Sequence, residues 1–281
     1  MTEAGATRIA LITCGPMSRS HFAGVGPLVP PGVVVDIESL QLYSDDLYAI
    51  EHRKSAILSK IKTLQEQHKW DGVMLVAAPT EVLNPGLFQA LQSELEIPVT
   101  TALDACISAL RAYAASRVLL LTPFDARLNG LICSHLERHD VQALAPSPFE
   151  LLGDAIRLTP DQVFAHTRNA LDKVGAVDAI YFQGAVLDPL KILDRLEGEL
   201  ATTVIASNPA MLWRMLAGLG HRHSVARYGK LLRDWPAIGP AAAPALPCWN
   251  ATGGHRDTRD AVAIPTSNES TGINKSQPRR P

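Results

Sequence analysis

Close pairs of cysteine, long apolar runs and a basic leader are all missing from this sequence. The four cysteines stand far apart, with no C-x-x-C pair and no histidine at ligand spacing, so nothing indicates a disulfide framework or a metal site. No stretch reaches the ~18 consecutive apolar residues of a membrane span, and no basic segment precedes an apolar run at the start. We therefore expect reduced thiols in the cytoplasm and no membrane partner.

An excess of charge of either sign is also lacking, with 26 Lys+Arg against 28 Asp+Glu. A nucleic-acid partner would favour a basic excess or a basic stripe, so none is expected. A disordered chain would be poorer in apolar residues than this one, which is 47% hydrophobic and 19% charged. The 281 residues fit one large or two medium globular domains, which need no metal or disulfide for stability.

Short apolar runs alternate with longer segments of helical period. Runs that are apolar on both faces are typical of parallel strands covered by helices, so the pattern predicts an α/β fold. The predicted strands are 8–13, 32–37, 71–77, 97–102, 117–122, 178–183 and 203–207. The predicted helices are 45–68, 85–95, 103–114, 126–138, 160–174 capped by Thr159, 189–200, and 209–219 behind an Asn208 cap.

The strand series repeats itself. The run RIALIT at Arg8 is echoed by RVLLLT at Arg117, DGVMLVA by DAIYF, and IPVTT by TTVIAS, at offsets of 105 to 109 residues. Chance similarity between apolar strands is the alternative, but three pairs in order favour two homologous lobes, each a small parallel sheet flanked by helices. We expect a first lobe at 1–115 plus 205–235, a second at 116–204, and a disordered Pro/Ala-rich polar tail at 236–281.

Ligands of open parallel α/β sheets bind beyond the carboxyl ends of the strands. In this sequence those loops fall at 14–22, 78–86, 122–129, 183–189 and 207–213. None of them contains a phosphate-binding G-x-G-x-x-G or a Walker pattern, so we predict no nucleotide cofactor.

Four segments carry a resemblance to a known family. They are DGVMLVAAPTE, the stretch TTALDACISALRAYAASRVLLLTPFDARLN, the stretch DAIYFQGAVLDPLKILDRLE, and SNPAMLWRMLAGLG with the later RYGKLLR. In order and spacing the chain resembles the Asp/Glu racemase superfamily, and within it the maleate cis-trans isomerase and arylmalonate decarboxylase group, over about residues 7–235. The resemblance implies two pseudosymmetric α/β lobes with a cleft between them, no cofactor, and a possible homodimer.

The sequence departs from this family where the family keeps its chemistry. Racemases and isomerases use two cysteines, one per lobe, and the matching positions here are Pro79 and Gly184. The family tyrosine after the T-P turn is Phe124, and the isomerases' asparagine after the first strand falls near Pro16. Two-cysteine racemisation and thiol addition to maleate are therefore not expected.

The carboxylate-binding apparatus of the family is better matched. The resemblance implies that Thr80 and the backbone N–H groups of Glu81 and Ala185 cradle a substrate carboxylate. It also implies that Asn208, with Ser207, faces the same cleft. Both Thr80 and Asn208 have the alternative of acting as helix caps only.

The reactive groups must then be different ones, and each has a structural alternative. Glu81 could be a general base with a raised pKa, or a solvated residue in the first turn of a helix. Asp188 could be its partner in the second lobe, or only an N-cap. Cys14 follows the first strand and could transfer a proton, or be a small buried thiol. His21 could act with Cys14 or Ser18, although no third group orients it.

These features together predict a cofactor-independent enzyme that acts on a small carboxylate or dicarboxylate. Decarboxylase or lyase chemistry is favoured over racemisation, because desolvation of a carboxylate in an apolar pocket can drive it. Two alternatives stay open: a binding protein that kept the cleft without the chemistry, and a hydrolase that uses Ser18 or Cys14 with His21.

Overall fold

The computed structural model describes residues 6–16, 25–146, 155, 157–184, 187 and 189–239. Within them lie two sheets of four parallel strands. The first has the order β2-β1-β3-β4 and the second the order β6-β5-β7-β8. The strands are β1 (Thr7–Thr13), β2 (Val33–Ser39), β3 (Gly72–Leu75), β4 (Val99–Thr101), β5 (Arg117–Leu121), β6 (Gln142–Leu144), β7 (Ala179–Phe182) and β8 (Thr203–Ala206).

Helices follow most of the strands, as the alternating pattern predicts. They are α1 (Lys54–His68), α2 (Ala78–Val82), α3 (Leu87–Glu94), α4 (Ala102–Ala112), α5 (Ala126–Glu137), α6 (Pro160–Val174), α7 (Leu193–Leu200), α8 (Ser207–Gly218) and α9 (Gly229–Asp234). The prediction for α6 is confirmed to the residue, and Thr159 caps it in a reciprocal capping box with Gln162. No helix in the described part of the chain has the length and apolar character needed to span a bilayer.

The internal repeat is confirmed by the equivalent order of the two sheets and by their contacts. Every residue of β3 and β7, the strands paired in the repeat, is buried. Asp71, just before β3, accepts a 2.8 Å hydrogen bond from the backbone N–H of Arg8. Asp178, just before β7, accepts one of 2.8 Å from the N–H of Arg117. In each lobe, the aspartate at the equivalent position thus binds the backbone at the start of the neighbouring strand.

Several predicted boundaries are corrected by the structure. The helix predicted at 45–68 begins only at Lys54, after a separate 3-10 turn at Leu47–Ile50. The helix predicted at 189–200 is a 3-10 turn at Pro189–Ile192 followed by α7. Three short elements, β6, α2 and α9, were not predicted, because segments of three to six residues have too little periodicity to show.

The last long helix joins the two halves. Helix α8 follows β8 of the second sheet, and it packs mainly against α4 and against β3 and β4 of the first. Residues 1–241 group as one unit by their contacts. The lobe boundaries given above stay predictions, as does the disordered tail, most of which lies outside the described residues.

Candidate functional site

The loops beyond the carboxyl ends of the two sheets contact one another. The Tyr48 hydroxyl, in the segment after β2, donates hydrogen bonds of 2.8 and 2.7 Å to the two carboxylate oxygens of Asp125, after β5. The Arg127 guanidinium pairs with Glu51 at 2.5 Å and lies 4.6 Å from the centre of the Tyr48 ring. The carboxyl edges of the two sheets therefore meet at one interface, as the resemblance implies.

Cys14 and Thr80 meet at the carboxyl edge of the first sheet. Cys14 follows β1 directly and is 1% exposed, and its thiol is in hydrogen-bond contact with the Thr80 side chain. Burial raises the pKa of the thiol to about 12, against a smaller lowering by Thr80 and by the charge of Lys60. The thiol therefore carries its proton at neutral pH.

A tyrosine from the next loop covers the same place. The ring of Tyr43 occupies the space where Gly15 would carry a Cβ, so only glycine fits beside Cys14. Burial and the neighbouring Cys14 raise the pKa of the Tyr43 phenol to about 12. The site thus holds a thiol, a phenol and a threonine hydroxyl, all of them neutral.

The turn that presents Thr80 combines a strained backbone with a buried amide. Ala77 has a φ of 70°, in the left-handed region that is costly for a residue with a Cβ. The Thr80 N–H donates to the Ala77 carbonyl at 3.0 Å. Asn84 donates 2.9 Å hydrogen bonds to the carbonyls of both Thr80 and Ile50. Pro79, which replaces the first family cysteine, is buried in this turn.

Glu81 faces the opposite way from Thr80. Its carboxyl group accepts a 2.5 Å hydrogen bond from the Thr101 hydroxyl, at the end of β4, and lies 3.8 Å from Nε2 of His135 on α5. Both residues follow β3, which lies between β1 and β4 in the sheet. Thr80 therefore points toward the end of β1, and Glu81 points toward the end of β4. The structure places Glu81 against Thr101 and His135, and Thr80 against Cys14.

Burial dominates the chemistry of Glu81. The residue is 7% exposed, so it is not the solvated first-turn glutamate of the alternative interpretation. Burial raises its pKa to about 7, with a smaller contribution from the charge of Asp104 and an opposing one from the Thr101 hydrogen bond. Its neighbour His135 has a pKa lowered to about 4 by burial and by the charges of His139 and Arg138. Glu81 can therefore exchange a proton near neutral pH.

The second lobe offers a tightly filled turn where the family keeps its other cysteine. Gly184 has a φ of 121°, and a Cβ there would lie 2.9 Å from Cδ of Pro123 and 3.8 Å from Cζ of Phe124. Phe124 is buried, and the turn that carries it is held by Asn129, which accepts from the Thr122 hydroxyl and donates to the Phe124 carbonyl at 3.0 Å. No side chain fits at position 184.

The remaining predicted site residues are only partly accounted for. Asn208 lines a small cavity with Gly184 and Ser207, but α8 begins at Ser207 after Ala206 and has no side-chain cap. The prediction of Asn208 as an N-cap is therefore wrong, because the helix starts one residue before it. Ala185, Asp188, Ser18 and His21 lie outside the described residues. Within the described residues, no group of three or more His, Cys, Asp or Glu side chains could hold a metal ion.

Four residues of these sites escaped sequence reasoning: Tyr43, Thr101, Asn129 and His135. Tyr43 follows β2, whose carboxyl end lies at the same edge as that of β1, so topology would have placed it near Cys14. Thr101 ends β4 in the same way. The only signal for His135 is its i, i+4 spacing from His139 at the end of α5, which does not point to Glu81.

The two lobes have equivalent strand orders, and loops beyond the carboxyl ends of their strands contact one another, so the chain is a two-lobed α/β protein. The model of the arylmalonate decarboxylase family matches residues 80–232, more than half of the chain. The chain belongs to this family. Family membership supports an enzyme in general terms, without defining its reaction.

Solved structures agree on the fold. A liganded double mutant of arylmalonate decarboxylase is 20% identical, with a TM-score of 0.69 over 81% of this chain and 99% of that one. The maleate isomerase Iso from Pseudomonas putida S16 is 17% identical, with a TM-score of 0.66 over 82% and 99%. The Nocardia farcinica maleate cis-trans isomerase bound to TRIS is 18% identical, with a TM-score of 0.65 over 81% and 98%. No curated protein sequence matches the chain.

Proposed function

We propose that this protein is a cofactor-independent enzyme that binds a small carboxylate or dicarboxylate between its lobes and decarboxylates it. The observation that carries the proposal is the contact between the Cys14 thiol and the Thr80 hydroxyl at the carboxyl edge of the first sheet. Membership of the arylmalonate decarboxylase family supports the same class of reaction. Another lyase reaction, or an isomerisation, of a similar substrate is the nearest variant of this proposal.

The neutral groups of the site suit carboxylate chemistry. The Thr80 hydroxyl can donate to a substrate carboxylate. The ring of Phe124 in the second lobe is buried, and we expect it to make the opposite wall of the site apolar. A carboxylate that loses its hydration shell in such a site is less stable relative to carbon dioxide, which promotes loss of CO2. Racemisation by two opposed thiols has no support here, since Pro79 and Gly184 replace both family cysteines.

Cys14 is the group that we propose as the proton donor. When the bond between carbon and the leaving carboxylate breaks, its electron pair stays on the substrate carbon, and CO2 departs. A donor must then protonate that carbon, and a thiol with a pKa of about 12 carries the required proton at neutral pH. The resulting thiolate regains a proton from water. Glu81, which contacts Thr101 and His135 instead, is a less direct candidate for this step.

Turnover of a panel of arylmalonates, alkylmalonates and maleate tests the proposal. Proton NMR in D2O would report deuterium incorporation at the new C–H bond, with loss of CO2 as a second readout. We expect Cys14→Ala to lower kcat at least ~100-fold, as for loss of a general acid, and Cys133→Ala, half-buried on α5, to leave it unchanged. Full turnover by the Cys14 variant would show that this assignment of the proton donor is wrong.

Loss of the carboxylate contact should give a different signature. Thr80→Val removes one hydroxyl without changing the side-chain volume much, so KM should rise about tenfold. Thr63→Val, on the exposed side of α1, is the matched control, because the one hydrogen bond of its hydroxyl found in the described part of the chain is to the Ser59 carbonyl of the same helix. Equal KM values in both variants would remove Thr80 from the substrate site.

A non-catalytic carboxylate-binding protein is the second candidate. The observation that favours it is that Pro79 and Gly184 replace both family cysteines, so neither lobe keeps the family thiol. A thermal-shift titration with the same panel separates the two functions, since a ligand that binds only the folded state raises Tm. Stabilisation by a malonate without any turnover would favour the binding protein.

A further inference from the structure

A second cavity opens on the other side of Glu81, at the contact between the two lobes. It has a volume of about 390 Å³, within the range of small-molecule sites. Its first-lobe wall is the segment from Glu81 to Gln89, and its second-lobe wall is the end of α5. The lining residues are Glu81, Val82, Pro85, Gly86, Gln89, His135, Arg138 and His139. It shares no lining residue with the Cys14 and Thr80 contact described above.

The second-lobe wall of this cavity is positively charged. The guanidinium of Arg138 has no hydrogen bond or carboxylate partner among the described residues. The imidazole rings of His135 and His139 lie beside it, with their centres 5.1 Å apart. Burial is the main cause that lowers the pKa of both rings, and neighbouring positive charges add to it, from Arg111 and Arg138 at His139 and from His139 and Arg138 at His135. Asp104 and Asp140 act in the opposite direction on His139. The guanidinium of Arg138, without a partner among the described residues, is the group on this wall that attracts an anion.

The inner end of the cavity can add a hydrogen-bond donor. Glu81 holds one oxygen against Thr101, and the other, 3.8 Å from His135, accepts no hydrogen bond from the described residues. When the carboxyl group is protonated it can donate to a bound oxygen, and when ionised it repels an anion. The other charge that acts on it is that of Asp104, which pairs with Arg214 at 3.6 Å and favours the protonated form of Glu81. The nearby phenol of Tyr181 is fully buried, and burial, Cys106 and the charge of Glu81 raise its pKa well above the ordinary value, so it stays neutral.

We propose that this cavity binds a small carboxylate anion between the guanidinium of Arg138 and the imidazoles of His135 and His139, with Glu81 at its inner end. Guanidinium groups and imidazole N–H groups are both hydrogen-bond donors that suit a carboxylate. A cation is not favoured, because Arg138 faces the cavity without a partner among the described residues. This site is distinct from the substrate site proposed above and does not depend on that proposal.

Acetate is the probe for the test, titrated at constant ionic strength with sodium chloride. The side-chain NMR signals of His135 and His139 report the site directly. At pH 6 we expect saturable shifts of both, and above pH 7 an apparent Kd that rises by up to about tenfold per pH unit as Glu81 ionises. Glu81→Gln keeps a donor and removes the charge, so its Kd should be as low as at pH 6 and independent of pH between about 6 and 8.

Two arginine variants and one threonine variant localise the binding. Arg138→Gln should raise Kd at least about tenfold, while Arg168→Gln, an exposed arginine paired with Glu199 on the second lobe, should leave it unchanged. Arg138 is exposed, so its variant tests the site even if Glu81→Gln does not fold. Thr80→Val should not alter the shifts. Three outcomes would each overturn the proposal. They are histidine shifts that do not saturate with acetate, an unchanged Kd in Arg138→Gln, and loss of the histidine shifts in Thr80→Val.

Discussion

The hydroxyl of Thr101, the last residue of β4, donates a 2.5 Å hydrogen bond to the carboxyl group of Glu81 on α2. It is the one hydrogen bond of that carboxyl group found among the described residues, and it joins the carboxyl ends of two neighbouring strands. One bond does not compensate for the loss of hydration, and for that reason the pKa of Glu81 rises despite it. Glu81 therefore links the ionisation of the lobe interface to the stability of the fold.

The first prediction concerns the stability of a Glu81→Gln variant. The folded-state pKa of Glu81, about 7, is above the unfolded value near 4.5, so its stabilising effect is fully present below pH 4.5 and is lost as pH rises through 7. Glutamine lacks this dependence. The free energy of unfolding of the variant, relative to that of the native protein, should therefore increase as pH rises from 4.5 through 7. At pH 8 this relative increase should be on the order of 2–3 kcal/mol.

Urea denaturation at about pH 4.5 and pH 8 measures this difference. His135 titrates in the same range, with its pKa lowered to about 4, but it is present in both proteins and its contribution cancels to first order. A control variant, Glu66→Gln, changes an exposed glutamate of α1 and should show no such gain. An identical pH profile for Glu81→Gln and the native protein would contradict the buried carboxyl group with its raised pKa.

The second prediction concerns Gly184, which replaces the second family cysteine. A Cβ at this position would lie 2.9 Å from Cδ of Pro123, in a backbone conformation that only glycine adopts without strain. Gly184→Ala should therefore destabilise the protein by about 2 kcal/mol or more, and Gly184→Cys should not restore a thiol site without moving the Pro123 turn.

A matched glycine provides the comparison. At Gly198, within α7, an added Cβ would have no other atom within 4 Å, so Gly198→Ala should stabilise the protein by up to about 1 kcal/mol through helix propensity. Thermal unfolding of both variants measures the contrast. Equal and small effects at the two positions would show that the turn at 184 is loosely packed.

The third prediction concerns Asn129 of α5, which is 4% exposed and fixes the turn before it. Its side chain accepts from the Thr122 hydroxyl and donates to the Phe124 carbonyl. Asn129→Ala removes the side chain that bonds the Thr122 hydroxyl and the Phe124 carbonyl. The free energy of unfolding should therefore fall by about 2–3 kcal/mol. If the turn also shapes the substrate site, kcat/KM should fall in the same variant.

An exposed helical position of the same kind serves as the control. Gln89→Ala, on the solvent side of α3, removes an amide with no hydrogen bond among the described residues and should change stability by less than about 0.5 kcal/mol. A loss of similar size in both variants would mean that the Asn129 hydrogen bonds contribute little.

Most of the fold could be predicted from the sequence, because seven of the eight described strands are marked by short apolar runs and two lobes repeat the same pattern. The repeat pairs Arg8 with Arg117 and Asp71 with Asp178, and these pairs make equivalent contacts in the structure. Strand β6 was missed because its three residues are half-buried or exposed and it lies at a sheet edge.

The candidate site was less predictable, because it depends on where side chains point. Thr80 and Glu81 were expected in one cleft as consecutive residues, whereas the turn of a helix sends them to Cys14 and to Thr101. Tyr43 and His135 come from a loop and a helix that no motif marks. Their proximity to the site follows from the docking of whole elements, which residue spacing does not encode.

The last prediction concerns the reactivity of the cysteines, which decides what Cys14 can do. Cys14 is 1% exposed, and burial raises the pKa of its thiol to about 12, so both access and the thiolate fraction are small at pH 8 and iodoacetamide should leave it unmodified over hours. Cys106, fully buried beside Tyr181, should be equally inert, whereas the half-buried Cys133 should react slowly. Peptide-resolved mass spectrometry distinguishes these thiols, and alkylation in urea gives the unprotected rate for each. A Cys14 that reacts as fast in the folded protein as in urea would be an accessible thiolate, and a nucleophilic role would then replace that of proton donor.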